Sequence, residues 1–308
     1  MAENFKRTPL SWAAGEGNEA VVNLLLVHKN INPNLTDTGG RTALSWAASS
    51  GRDGVVEQLL RRNDVNPNLA DNFGKTPVFW ATMQFHYRVL KLLVECQDVN
   101  PNITDNRGRS PLFLAASCGD SQAVELLLER EDVAPNIAIP FRETPLSIAV
   151  KYHPYRLVKL ILKREDVNPN ITDHFGYTPL HTAAVGGNCR VVKLLLERAD
   201  ITPDIPSNCG QTPVTSAARY GRDGVVELLL GLQNVNANIT DKDGRTPLAW
   251  AAASGHNRVV QLLLAWQDIN PNIPDNDGRT PLSWASFSGH EETVNLLQAG
   301  ISGSPMEV

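Results

Sequence analysis

The stretch DGRTPLAWAAASGHNRVVQLLL, residues 243–264, decides the fold because close copies of it recur along the whole chain. Each copy carries a Thr-Pro pair or a near equivalent, and neighbouring copies are 34 residues apart. A fixed period of this length is the signature of a stacked repeat protein, and it outweighs chain length as a guide to the number of domains. The sequence therefore predicts one elongated array in place of the two globular domains that 308 residues would otherwise suggest.

Nine copies fill the chain. Their marker residues are Thr8, Thr42, Thr76, Ser110, Thr144, Thr178, Thr212, Thr246 and Thr280. Counting from five residues before each marker gives the repeats 3–36, 37–70, 71–104, 105–138, 139–172, 173–206, 207–240, 241–274 and 275–308. We therefore expect residues 1–308 to form a single repeat domain.

Each repeat is predicted to form a turn followed by two antiparallel helices. Asp241–Gly244 has turn chemistry, since glycine tolerates positive φ and aspartate bonds to its own nearby backbone. Thr246 can cap the first helix, Pro247 suits its first position, and Gly255 can end it. The second helix, Val259–Leu264, is apolar over so much of its circumference that it needs neighbours on both sides.

The predicted fold class is therefore an all-α repeat solenoid in which single repeats are unstable and the interfaces between repeats supply the stability. The last repeat has TVNLLQ, Thr293–Gln298, where Val259–Leu264 has VVQLLL. Two aliphatic residues are thus exchanged for polar ones, which is what the outward face of a capping repeat requires.

Composition limits the function classes. The net charge of -5 argues against a nucleic-acid backbone binder, and no apolar run approaches the roughly 18 residues of a membrane span. The start of the chain does not resemble a signal peptide, so we expect a cytoplasmic protein, with the nucleus as the other possibility. The cysteines form no CxxC pair and are expected to be reduced, mostly packing thiols: Cys96, Cys118, Cys189 and Cys209.

We find no sequence motif for catalysis, for a metal or for a cofactor. The seven histidines are scattered, without an HExxH motif or a Cys/His cluster at metal spacing. No glycine-rich phosphate loop and no GxSxG elbow are present. The expectation is a non-enzymatic protein without cofactors.

The ordered motifs DGRTPL, AAxxG, VVxLLL and DVN resemble the ankyrin repeat, and the resemblance covers essentially the whole chain. It implies a hairpin turn and two antiparallel helices per repeat, curved into an array with a concave groove. The long DVNPN-type connection is similar to arrays in fungal proteins, which are often attached to a nucleotide-binding signalling domain. Where the family usually has histidine in TPLH, only His181 matches. The next position carries tryptophan in five repeats, interpreted as packing between repeats: Trp12, Trp46, Trp80, Trp250 and Trp284.

The resemblance implies that a protein or peptide partner binds the concave face, which consists of turn tips and the exposed side of each first helix. Nine repeats at about 8 to 10 Å each would give a groove of roughly 70 to 90 Å. The position before the marker is basic near both ends of the array, either as a binding ladder or as solvated surface cations. The residues there are Arg7, Arg41, Lys75, Arg109, Glu143, Tyr177, Gln211, Arg245 and Arg279.

Repeats 3 to 6 are the predicted contact region because aromatic residues occupy its turn tips and local rules fail there. Phe85 and His153 replace the glycine after the first helix, and Ile139 and Arg142 replace the turn aspartate and glycine. A non-glycine residue at positive φ costs roughly 1 kcal/mol or more, so we expect local remodelling at Phe85 and His153. Such failures of local rules tend to mark functional or strained places. The candidate partner-binding residues are Phe73, Lys75, Phe85, Arg107, Arg109, Phe141, Tyr152, His153, Phe175, Tyr177 and Tyr220.

The function favoured by the sequence is a non-enzymatic, monomeric scaffold that binds a protein or peptide partner, not nucleic acid or membrane. The alternative is a ligand-sensing, regulatory segment of a larger fungal signalling protein with a nucleotide-binding receptor-like domain. An enzyme on a repeat scaffold is the third class considered, and no motif favours it.

Overall fold

The computed structural model describes residues 6–28, 30–153 and 155–302, which form eighteen α-helices and no β-strand. The described residues fall into two compact units, one ending at Val167 and the other beginning at Asn168. The first unit contains α1 Pro9–Glu16, α2 Glu19–Val27, α3 Ala43–Ser49, α4 Asp53–Leu60, α5 Pro77–Met83, α6 Tyr87–Glu95, α7 Pro111–Ser117, α8 Ser121–Leu128, α9 Pro145–Tyr152 and α10 Tyr155–Leu162. The second contains α11 Pro179–Gly186, α12 Cys189–Leu196, α13 Pro213–Arg219, α14 Asp223–Leu230, α15 Pro247–Ala253, α16 Asn257–Leu264, α17 Pro281–Phe287 and α18 Glu291–Ser302.

The first helix of every repeat begins as the sequence predicts. The marker hydroxyl accepts a hydrogen bond from the backbone N–H three residues later, as Thr246 does from Ala249. Pro247 occupies the first helical position, where its missing N–H costs no hydrogen bond. Gly255 then reverses the chain at a φ of 70°, so the predicted helix end is confirmed.

Packing within each unit joins equivalent helices of successive repeats. The first helices contact one another (α1 with α3, α3 with α5), and the second helices do the same (α2 with α4, α4 with α6). Small residues such as Ala47 and Ala48 are fully buried between first helices. In the second helix, Val260 is fully buried, as expected for a helix covered on two sides.

The long connection after each second helix carries an asparagine ladder. Asn68 donates through Nδ2 to the carbonyl of Asp98 and accepts through Oδ1 from the N–H of Asn100, each at 2.7 Å. One amide thus satisfies two backbone groups of the next repeat. The side chains that make the same donation are Asn34, Asn68, Asn102, Asn136, Asn170 and Asn238. The second asparagine of DVNPN is therefore a structural joint between neighbouring repeats.

An arginine clamp closes the end of the second helix in several repeats. Arg62 forms a bidentate pair with Asp64 at 2.8 and 2.6 Å and also donates to the carbonyl of Leu26 in the preceding repeat. Arg130 repeats the arrangement with Asp132 and the carbonyl of Val94. The clamp satisfies helix-end carbonyls of the preceding repeat, which otherwise lack a partner.

Among the described residues, three that are not glycine have positive φ: Lys6 at 50°, Phe85 at 59° and Arg142 at 63°. Phe85 and Arg142 keep the positive φ of the glycines they replace, so the local remodelling predicted at Phe85 does not occur. At His153 the predicted remodelling is present, because its φ is -123° and its backbone is extended. Pro154 follows it, and the residue before a proline is biased towards extended backbone.

Two further expectations need correction. Thr293 does not face outwards, since it is fully buried and bonds to Asn257 of the preceding repeat, whereas Gln298 is exposed as predicted. All four cysteines are free, but Cys118 and Cys209 are exposed and are not packing residues.

Candidate functional site

The turn-tip face of each unit, formed by the turns and the adjoining side of the first helices, is organised by the turn aspartates. Asp71 accepts through Oδ1 from the N–H groups of Phe73 and Lys75 at 2.9 Å, which fixes the turn. Its Oδ2 accepts from Trp80 Nε1 at 3.0 Å. The same Trp-to-Asp bond spans nine residues from Trp46, Trp250 and Trp284. The turn and the first helix of a repeat are thereby locked together.

Cations alternate with the tryptophan rings along this face. The Arg41 guanidinium lies 4.6 Å from the centre of the Trp46 ring and 3.7 Å from that of Trp80 in the next repeat. Arg7 lies in the same way between Trp12 and Trp46, and Arg245 between Trp250 and Trp284. The interpretation of the tryptophans as packing between repeats is confirmed, and the packing runs through a cation.

These cations are largely buried, so the idea that they are simply solvated is wrong. Only 20% of the Arg41 side chain is exposed, and its Nε lies 3.7 Å from an oxygen of Asp71. Burial lowers the pKa of the Arg41 guanidinium, and the nearby Asp71 and Asp37 oppose that shift. The shared pattern is a basic residue held between two rings and against the aspartate of the following repeat.

The pattern breaks between repeats 3 and 4, where Leu114 occupies the tryptophan position. Asp105 therefore has no indole as a hydrogen-bond partner. Its Oδ2 instead accepts from Arg109 of the same repeat, from Nε at 2.8 Å and from Nη2 at 2.6 Å. Lys75 lies 4.4 Å from the centre of the Trp80 ring but, unlike Arg41, forms no ion pair with the described residues. Lys75 therefore lacks the ion pair that Arg41 and Arg245 form with the next repeat.

A pocket of about 320 Å³ opens at this break, here called the tip pocket. It brings together four of the sequence-predicted site residues with three neighbours: Phe73, Lys75, Arg107, Arg109, Trp80, Asp105 and Asn106. Phe73 is 64% exposed at its rim, whereas Trp80 is buried. Burial lowers the pKa of Lys75, with Arg109 and Arg41 adding to the shift and Asp71 and Asp105 opposing it.

Two other predicted residues lie elsewhere in the first unit. Phe141 is 63% exposed on the fifth turn, and Tyr152 is 63% exposed at the end of α9. Lys151 pairs with Glu143 at 3.0 Å and lies 5.1 Å from the centre of the Tyr152 ring. This turn cannot copy its neighbours' bond between successive turns, in which Asn106 N–H donates to Phe73, because Pro140 has no N–H.

Phe85 and His153 are engaged in other contacts. Phe85 lines a second cavity, together with His86 and Tyr87 among others, that shares no residue with the tip pocket. The His153 ring approaches Gly119 and contacts the carbonyl of Ser117 through Nε2 at 3.0 Å, as His86 contacts Ser49. Because Pro154 occupies the usual histidine position, His153 makes this inter-repeat contact one residue early.

The remaining candidates form an aromatic group in the second unit. The ring centre of Tyr177 lies 6.3 Å from that of Phe175, and the Tyr177 ring stacks on His181 at 5.4 Å. Burial raises the pKa of the Tyr177 hydroxyl, with a further contribution from Tyr220. Phe175 and Tyr220 are 58% and 46% exposed. Tyr220 adjoins Arg219, which also lies 4.3 Å from the centre of the Trp250 ring.

The described residues contain neither a cluster of metal-binding side chains nor a membrane-spanning helix. Across residues 6–28, 30–153 and 155–302, no three His, Cys, Asp or Glu side chains gather in a way that could hold a metal ion. None of the helices described is long and apolar enough to cross a membrane. The expected lack of catalysis and of a cofactor stays a prediction.

Comparison with known families agrees with this architecture. A family model described as ankyrin repeats (3 copies) matches residues 1–71, 44–139, 146–238 and 217–304. The chain belongs to the ankyrin repeat family. The predicted resemblance and the all-α repeat solenoid are thus confirmed, and ankyrin repeats are in general protein–protein interaction modules. The search of curated proteins gave no match.

Sequence reasoning missed the asparagine ladder, the cation–tryptophan stack and the break that forms the tip pocket. A signal for the stack was present, because aspartate and tryptophan recur nine residues apart in four repeats. Leu114 stands in the fourth repeat at the position where the third repeat has Trp80. This change in the sequence would have pointed to the break.

Proposed function

We propose that this protein is a non-enzymatic scaffold that binds a protein or peptide partner through its turn-tip face. The observation that carries the proposal is the exposure of aromatic residues at turn tips in an ankyrin repeat protein. Phe73, Phe141 and Phe175 are each more than half exposed, on turns whose backbone is held by other groups. Exposed aromatics of this kind are characteristic anchors of protein interfaces.

The proposal includes a monomeric protein in the cytoplasm or nucleus that binds neither nucleic acid nor membrane. The net charge of -5 supports the absence of nucleic-acid binding. No observation on this chain favours the alternative, a ligand-sensing, regulatory segment of a larger fungal signalling protein.

The test is quantitative affinity capture with the wild-type protein and a Phe175→Ala, Tyr177→Ala double variant. We expect the variant to lose more than about 2 kcal/mol of partner binding, because aromatic hot spots contribute on that scale. Its melting temperature should change little, since Phe175 is largely exposed. An equal loss of binding and thermal stability would show that the two rings are structural and would contradict their assignment as partner contacts.

A further inference from the structure

We infer that the tip pocket binds an anionic side chain of a peptide segment, with an apolar neighbour of that side chain against Phe73. The inference rests on the proposed function and specifies the chemistry of the partner. Two observations support the inference: three cations line the pocket with a single carboxylate, and Leu114 stands nearby in the sequence position where other repeats have tryptophan.

The pocket has cations that lack a matching carboxylate. Lys75, Arg107 and Arg109 all line it, and Asp105 is its one acidic residue. Asp105 is 5% exposed, and both of its oxygens are occupied: Oδ1 by the N–H groups of Arg107 and Arg109, Oδ2 by the Arg109 side chain. The Arg107 side chain is exposed and has no ion pair among the described residues. The field in the pocket is therefore positive.

Lys75 differs from the cations at the equivalent place in other repeats because it forms no ion pair with the described residues. At the equivalent place Arg41 reaches Asp71 of the next repeat, and Arg245 reaches Asp275 at 3.8 Å. Lys75 has no such pair, and it is partly desolvated with other cations nearby. A carboxylate or phosphate that enters the pocket would provide an opposite charge for the half-buried Lys75 through a charge-assisted hydrogen bond.

The walls select a side chain attached to an apolar segment. Phe73 stands exposed at one edge and Trp80 lies against Lys75, so the pocket offers ring surface beside the cations. Its volume of about 320 Å³ is at the lower end of the roughly 300 to 1,000 Å³ typical of ligand pockets. That suits one anchoring side chain better than an extended small molecule.

The leucine at position 114 suggests a variant that should close the pocket. Leu114→Trp restores the residue that four aspartate-containing repeats have at this place. The new indole should bind Asp105 Oδ2 in place of Arg109, as Trp80 binds Asp71, and should fill the space beside Lys75. Lys75→Met and Arg107→Gln remove the cations directly. Arg61→Gln is the matched control, because Arg61 is exposed and lies outside the pocket.

The experiment begins with a displayed library of random linear peptides selected on the wild-type protein. Enriched peptides should carry Asp or Glu beside an apolar residue. A labelled synthetic peptide of the enriched sequence is then titrated by fluorescence anisotropy. Replacing its acidic residue by Gln, or using Lys75→Met, should weaken binding roughly tenfold or more, and Arg107→Gln several-fold. Arg61→Gln should leave it unchanged.

Further arms identify the source of the anion and check the fold. A phosphoserine peptide that binds more tightly than the Glu peptide would assign the anion to a phosphorylated side chain, and the reverse order to a carboxylate; both support the inference. Leu114→Trp should abolish binding while circular dichroism and urea unfolding stay near wild type. If that variant does not fold, Lys75→Met and the Gln peptide still decide the question.

Three results would overturn the inference: enriched peptides without acidic residues, equal effects of Lys75→Met and Arg61→Gln, or tighter binding of a single-stranded oligonucleotide than of any peptide. If neutral peptides are enriched and lose binding in the Phe175, Tyr177 double variant, the proposed scaffold stands and only the pocket assignment fails. If no peptide or protein partner is captured at all, the proposed function fails as well.

Discussion

At the scale of single residues, the clearest case is His181, the one family-like histidine of the TPLH position. It is fully buried, its Nε2 contacts the carbonyl of Gln211 at 2.9 Å, and its Nδ1 accepts from the N–H of Thr178 at 3.1 Å. This geometry requires the neutral ring, since a protonated Nδ1 could not accept. Burial accordingly lowers the pKa of His181 from 6.5 to about 4.

We predict that this histidine makes the second unit sensitive to acid. Between pH 6.5 and about 4 the unfolded chain binds the proton and the folded chain does not, so stability falls as pH falls through this window. The loss should be on the order of 3 kcal/mol in the free energy of unfolding by urea. His181→Ser, which copies Ser45 and Ser147 of other repeats, should lack that component of the pH dependence. A profile unchanged by the substitution would show that His181 has the same pKa in the folded and unfolded states, and would contradict the prediction.

Several residue-scale predictions from sequence succeed because they depend on local chemistry. The capping threonines and the remodelling at His153 each follow from a preference of the residue or its nearest neighbours, since the residue before a proline is biased towards extended backbone. The environment of Lys75 could not be predicted in this way, because it depends on the turn and first helix of the next repeat, where Leu114 stands in place of a tryptophan. Phe85 keeps a positive φ without the predicted remodelling.

At the scale of the structural element, the connection between repeats does more than link helices. Its asparagine joins each repeat to the next through two hydrogen bonds, and its arginine clamp closes the preceding helix. The sequence shows the length and composition of the connection, but it cannot show that the amide reaches a carbonyl thirty residues away. Long-range partners of this kind become visible only once the repeats are stacked.

The ladder has one altered rung, which gives a prediction at this scale. Asp204 accepts from the N–H of Asn236 at 2.8 Å, but it cannot donate as an asparagine would, and its Oδ1 is buried without a partner among the described residues. In the other rungs the donation goes to a carbonyl thirty residues later, here that of Asn234. Asp204→Asn should therefore raise the free energy of unfolding by about 1 kcal/mol at neutral pH.

The pH dependence of this gain provides its check. Burial raises the pKa of Asp204, so the aspartate contributes most below its unfolded pKa and loses that contribution as pH rises through the folded value. The advantage of Asp204→Asn should accordingly shrink in acid, where a protonated Asp204 can donate. The reverse change, Asn238→Asp, should destabilise the protein at neutral pH. Urea unfolding of both variants measures this, and a gain from both substitutions would contradict the role of the rung.

At the scale of the whole molecule, the repeat determines where the charged side chains and the stabilising contacts lie. The chain has a net charge of -5, yet largely buried or pocket-lining cations collect on the turn-tip face. The overall charge therefore says little about the chemistry of the binding surface. The fold class was predictable at this scale, because the 34-residue period is visible directly in the sequence. The division of the described residues at Val167 and Asn168 was not, since nothing in the period changes there.

Dependence of each repeat on its neighbours predicts the outcome of placing a charge between them. Val260 is fully buried in α16, which packs against α14 and α18. Val260→Asp should therefore cost several kcal/mol and lower amide protection in all three helices, because a carboxylate would enter an interface without a partner. Arg258→Asp, at an exposed position of the same helix, is the matched control and should leave hydrogen exchange nearly unchanged. Equal exchange in the two variants would contradict the placement of Val260.

The sameness of the asparagine joints has a consequence for how such a chain can change in length. In the first unit the rungs at Asn34, Asn68 and Asn102 present the same donor and acceptor to their successors, so excision or duplication of a whole repeat there leaves matching ends to rejoin. The tip pocket has no such tolerance, because Phe73 and Lys75 of one repeat line it together with Asp105, Arg107 and Arg109 of the next. Insertion of one ordinary, tryptophan-bearing copy between those two repeats would keep the array intact and erase its recognition site.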